Sequence, residues 1–101
     1  MESLRDFAGR LDDAAATLTV TVYAIADLGP PASAFGADAP GSFGELGRAL
    51  HAQWVAAVGA RGREAAATAE RCVDAAGAVR VAADAYAETD DAARRRLPEE
   101  A

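Results

Sequence analysis

Two side chains in this 101-residue sequence could act as nucleophile or base: His51, its only histidine, and Cys72, its only cysteine. On one helix they stand about six turns apart. A nucleophile and its base must lie within hydrogen-bonding reach, so a Cys–His couple within the chain is excluded. Metal ligation fails on the same inventory, because no His, Cys or carboxylate cluster falls at ligand spacing. A phosphate cradle fails too, since Gly41, Gly44 and Gly47 follow no strand and have no lysine beside them. The sequence therefore predicts no catalytic residue, no metal and no cofactor, and a protein that is not an enzyme. The residues that stay in contention recognise rather than react. Tyr86 and Asp90 are four apart, which on a helix stacks an aromatic ring and a carboxylate on one face. Two readings are open for them. They form a compact docking feature, or Tyr86 closes an interhelical seam while Asp90 and Asp91 pair with Arg94 and Arg95, each pair worth about 0.2 to 0.5 kcal/mol.

Helices must position these groups. Alanine supplies more than half of the 51% apolar fraction and has the highest intrinsic helix propensity. Leu4, Leu11, Leu18 and Ile25 recur every seven residues, and Phe7, Ala14, Thr21 and Leu28 are expected to fill the second register of the stripe. That pattern predicts a helix over 4–28, opened by Ser3 with Asp6 three residues on and closed by Gly29-Pro30-Pro31. Thr19-Val20-Thr21-Val22-Tyr23 alternates like a strand, but the heptad passes through it unbroken. Residues 29–41, rich in proline and glycine, read as a loop in which Phe35 packs over the helix ends or serves as a contact point.

Ser42-Phe43-Gly44-Glu45 forms a capping box, which predicts a second helix over 43–96 followed by a short acidic tail, 97–101. Its seam runs through Val58, Gly62, Ala65, Ala69, Cys72, Ala76, Val79, Ala83 and Tyr86, mostly small residues, with Leu46, Leu50 and Trp54 leading into it. Gly59 and Gly62 each cost roughly 1 kcal/mol relative to alanine and admit a bend there. The expected fold is all-α: one domain over 1–101, an antiparallel two-helix hairpin with a long second helix. Large residues of the first helix should face small ones of the second.

At 1.5 Å per residue the two helices would be roughly 37 and 80 Å long, so the first should leave an overhang around Val73, Val79, Val81 and Tyr86. Two helices share only one mutual interface, so the outer faces ask for further helices from a second copy or another chain. The apolar positions expected to form the hairpin and partner interfaces are Leu4, Phe7, Leu11, Leu18, Val22 and Ile25 on the first helix and Leu46, Leu50, Trp54, Val58 and Val79 on the second.

The 10 basic residues against 16 acidic ones leave a formal charge of -6, which argues against nucleic acid as a partner. A lone cysteine forms no internal disulfide. No run of about 18 apolar residues could span a membrane, and the first residues lack the basic and apolar regions of a general secretory signal.

Nearly the whole chain resembles the type VII (ESX) secretion substrates of the WXG-type helical-hairpin superfamily, most of all the EspC-like branch. The resemblance rests on the N-terminal helix, the loop element Ala34-Phe35-Gly36, the tryptophan early in helix two, Trp54, and the terminal Ala-x-x-Tyr-x-x-x-Asp block. In that superfamily Tyr-x-x-x-Asp/Glu is the C-terminal export signal, which maps onto Tyr86 and Asp90. Ala56 stands where the superfamily's Trp-x-Gly turn has glycine, leaving Trp54 as either a large residue of the hairpin interface or part of the signal. The resemblance implies synthesis in the cytoplasm, recognition by the secretion ATPase of the type VII system, and export to the cell surface or medium. It also implies homo- or hetero-oligomers through helix packing, including one with a larger toxin cargo. Two rival readings are a targeting partner for such a cargo and a cytoplasmic homo-oligomeric coiled coil.

Overall fold

A computed structural model describes residues 2–27 and 29–100, the side chains of 97–100 excepted. The chain is an all-α antiparallel hairpin: helix α1 spans Leu4–Asp27, a short 3-10 turn spans Ala32–Phe35, and helix α2 spans Gly41–Glu100. The start of α1 is built as its sequence predicts. The Asp6 amide donates to Ser3 Oγ at 3.1 Å and the Ser3 amide donates to Asp6 Oδ2 at 3.3 Å, a reciprocal box that satisfies two donors at the helix end. The strand-like alternation at 19–23 lies inside α1, with the Thr21 hydroxyl donating to the Thr17 carbonyl.

Helix α1 begins at Leu4 as expected, and it is α2 that departs from its expected bounds. Helix α2 begins at Gly41, whose positive φ of 69° makes the reversal from loop to helix, one residue ahead of the serine expected to cap it. It passes unbroken through Gly59 and Gly62 and continues past Arg96 to Glu100. Pro98 lacks an N–H but has a φ close to the helical value, so the last turn is carried across it. Leu28, expected to complete the stripe of helix one, lies outside the described residues, as does Ala101.

The chain forms two compact units, Met1–Ala16 with Ala69–Ala101, and Thr17–Thr68. In the first, the buried side chains are Ala8, Ala15, Ala69, Ala76 and Ala83, with Ala8 and Ala76 at 0% exposure. Each set repeats every seven residues, so one methyl per two turns meets its counterpart. Such small contacts bring the axes to the short end of helix packing, roughly 8 Å. Within this unit the expected arrangement of large residues over small ones gives way to small on small, whereas in the second unit it holds at Gly62, which faces Val22. The second register of α1 is Ala8, Ala15 and Val22, while Phe7, Ala14 and Thr21 are exposed. The physical reason is spacing: a phenylalanine at the centre of the contact would hold the helices too far apart for Ala76 and Ala83 to be covered. On the α2 side the expected seam holds at Ala69, Cys72, Ala76, Val79 and Ala83, which are buried or half-buried.

Crossed ion pairs flank this seam. Arg5 meets Asp84 at 2.5 Å, and one heptad along α1, Asp12 meets Arg80 at 2.5 Å. The basic partner comes from α1 in one pair and from α2 in the other. Because Arg5 reaches Asp84, α1 covers α2 through Val73, Val79 and Val81, which are therefore not an overhang. Val73 and Val81 are exposed although α1 runs past them.

In the second unit the loop is an ordered element laid on the first turns of α2. The Gly36 amide closes the 3-10 turn on the Ser33 carbonyl at 3.0 Å, with Gly36 in the left-handed region at φ 79°. Ala37 is buried, and its carbonyl accepts a hydrogen bond from Arg48 Nη1 at 2.8 Å. The close approach is made possible by glycines. A Cβ at Gly44 would collide with the Ala39 carbonyl, and one at Gly47 would collide with the Phe35 carbonyl oxygen and lie 2.8 Å from the Gly36 carbonyl carbon.

Candidate functional site

The C-terminal half of α2 carries the first candidate. Tyr86 follows the seam residues Cys72 and Val79 at heptad spacing, yet it is 66% exposed and does not close the seam. Asp90, about 6 Å further along the axis, is also exposed. Among the described residues neither side chain takes part in a hydrogen bond or ion pair. The neighbouring carboxylate is different: Asp91 lies 4.0 Å from Arg94, and its carbonyl accepts from Arg95 Nε at 3.3 Å. The expected pairing of both acids with Arg94 and Arg95 is thus corrected to Asp91 alone. Asp90 lies on the face of Tyr86, one residue's rotation of about 100° away from Asp91. The result is an aromatic ring and an unneutralised carboxylate side by side on a regular helix.

The second candidate belongs to the unit Thr17–Thr68. Leu18, Thr21, Val22 and Ile25 of α1 and Trp54, Val58, Gly62 and Ala65 of α2 bound an open apolar groove of about 790 Å³. The charged groups at its margin are Arg61 and Arg63, the former 3.4 Å from Glu64. Trp54 stands at one end, 46% exposed, with its ring centroid 6.5 Å from that of Phe35. Phe35 also meets His51 edge-on at 5.6 Å, so the loop aromatic packs on α2 and His51 serves as its support. Ile25 in the groove wall is exposed, as are Leu46 and Leu50 earlier on α2.

The apolar positions expected at interfaces divide accordingly. Leu11, Leu18, Val22, Val58 and Val79 are half-buried within their units, whereas Leu4, Phe7, Ile25, Leu46, Leu50 and Trp54 remain exposed. The groove itself was not foreseen. Its signal was the pair Gly59 and Gly62, read as a helix weakness; in the structure both line the groove as part of its small-residue wall. The role of Gly44 and Gly47 as the bed of the loop was likewise missed, although three glycines at steps of three on a capped helix mark a face open to close backbone approach.

Among the described residues, no three His, Cys, Asp or Glu side chains gather as a metal site would require, and no helix is long and apolar enough to cross a membrane. Comparison with known protein families, curated proteins and solved structures gives no match to this chain.

Proposed function

We propose that this chain is a small substrate or secretion-associated factor of a type VII secretion machine, carried by helix pairing and read at Tyr86 and Asp90 by the secretion ATPase. It works by being bound, not by catalysis. The observation that carries the reading is the free state of both side chains. A tyrosine that filled the seam or a carboxylate neutralised by the following arginines would have been accounted for by the fold alone, and neither is. Placed one turn apart on a straight helix, they offer a partner a ring to bury and a charge to pair. Residues of this kind anchor interfaces, because an aromatic side chain buries a large area at little entropic cost.

The test is export. Tyr86→Ala is expected to abolish appearance of the protein in culture filtrate while circular dichroism shows unchanged helicity. Asp90→Asn should reduce export strongly, and Asp91→Asn, which removes only a weak surface pair, should leave it near normal. Undiminished export of Tyr86→Ala, or equal effects at Asp90 and Asp91, would refute the assignment. A targeting role for a larger cargo is the second reading, favoured by the uncovered apolar face of the loop-bearing unit; co-purification with the cargo would distinguish it.

A further inference from the structure

The groove of the unit Thr17–Thr68 has a floor, a length and apolar walls, and each restricts what fits it. Its floor is the contact between the two arms, where a Cβ at Gly62 would stand 3.5 Å from Val22 Cγ1. Above that floor about 790 Å³ is open, within the roughly 300 to 1,000 Å³ of pockets that take small molecules. A helix about 10 Å across, laid along the roughly 18 Å from Trp54 to Ala66, would need about 1,400 Å³. The space suits a narrower body. An extended carbon chain advances about 1.2 Å per bond and covers the same length in about 15 bonds. Leu18, Val22 and Ile25 on one side and Trp54, Val58 and Ala65 on the other give such a chain apolar walls throughout. A hydrocarbon brings no polar group that those walls would leave unpaired.

Charge selects the head group. Among the described residues no carboxylate bounds the groove, whereas two arginines do, Arg61 and Arg63. Arg61 is engaged by Glu64 at 3.4 Å, while Arg63 takes part in no hydrogen bond or ion pair among the described residues. The Arg63 side chain lies back along the helix over Gly59, its Nη1 3.5 Å from where a Cβ there would stand. The bare backbone of Gly59 thus gives the cation a seat on the groove rim, which both residues help to form. A guanidinium fork matches a carboxylate, with two N–H groups donating to its two oxygens. The whole chain carries a formal charge of -6, which an anionic bilayer surface repels, so the fitting source is a free acid and not a membrane lipid. We propose that the groove binds one long-chain fatty acid, its hydrocarbon tail between α1 and α2 and its carboxylate on Arg63. The assignment rests on this groove and not on the export signal, so each can fail without the other.

Trp54 is the only tryptophan and stands in the groove wall, so its fluorescence reports occupancy directly. Titrating the full chain with hexadecanoate at neutral pH, below the concentration at which the acid forms micelles, should shift Trp54 emission to the blue and saturate at one acid per chain. Affinity should climb from octanoate to hexadecanoate by up to about fourfold for each added methylene, and level off once the tail exceeds the roughly 15 bonds that the groove accommodates. The head group is tested with dodecanoate and dodecanol. Arg63→Gln should weaken the acid about fivefold, the scale of an exposed ion pair, and leave the alcohol unchanged. Arg61→Gln, which loses a guanidinium already held by Glu64, should weaken the acid less. Ala65→Phe, which fills the groove, should abolish the emission shift with helicity retained. Trp54 emission that hexadecanoate leaves unmoved overturns the proposal. So does affinity that ignores tail length, or an Arg63→Gln chain that binds the acid as the wild type does. Emission that turns blue with protein concentration alone, and that the acid then fails to change, would place another protein surface in the groove and likewise overturn it.

Discussion

Ala76 has no exposed surface, and among the described residues no side chain larger than its methyl is buried. Each such methyl contributes only about 0.8 kcal/mol by transfer from water, but its smallness is what lets the backbones approach. Size is therefore constrained from above at these positions. Ala76→Leu is expected to destabilise the fold by about 1 to 3 kcal/mol through overpacking, read as a fall in the urea midpoint. Val81→Ala, at an exposed outward position, should change it by less than about 0.5 kcal/mol. At this scale the sequence was legible where spacing alone decides: the heptad of Ala69, Ala76 and Ala83 and the Ser3–Asp6 box are as read. It was not legible between Phe7 and Ala8. Both positions lie beside the Leu4–Leu11 row, and only the distance between the helices, a property of the pair, selects the alanine.

The loop element between the helices illustrates a different limit. Its proline and glycine content predicts a connection, yet the structure holds it by the Ala37 carbonyl on Arg48, the Phe35 ring on His51 and Trp54, and the bare faces of Gly44 and Gly47. A contact made of missing side chains leaves little trace in a hydrophobic pattern. Gly47→Ala, which would drive a Cβ into the backbone of Phe35 and Gly36, should cost about 1 to 3 kcal/mol even though alanine is the better helix former. Gly77→Ala, where a Cβ meets nothing within 4 Å, should instead stabilise α2 by up to about 1 kcal/mol. Opposite shifts in melting temperature for these two glycine replacements would separate a docking role from propensity.

At the scale of the molecule, large apolar groups such as Ile25, Leu46, Leu50 and Trp54 lie exposed, and the buried side chains among the described residues are small. If a second copy covers the exposed groups, the melting temperature must rise with protein concentration, since association stabilises the folded form by mass action. A concentration-independent midpoint over a hundredfold dilution series would remove the copy from the account. The hairpin and its unequal arms were readable because periodicity and the Pro-Gly break are one-dimensional signals. The groove was not, because it depends on which faces the two arms turn to each other. The alanine seam has one more consequence. Sliding α1 by seven residues along α2 would again lay alanine on alanine at most contacts, and alanine has no side-chain rotamers to refreeze. Packing therefore distinguishes poorly between the true alignment and one slipped by a heptad. Arg5 with Asp84 and Asp12 with Arg80 lessen that degeneracy, since a slip of seven sets Asp12 opposite Val73 or Ala87 and Arg5 opposite Gly77 or Asp91, so at most one of the two pairs is replaced. Though worth little as exposed ion pairs, they act as the index marks of a vernier, and their loss would be felt as ambiguity of alignment before it was felt as instability.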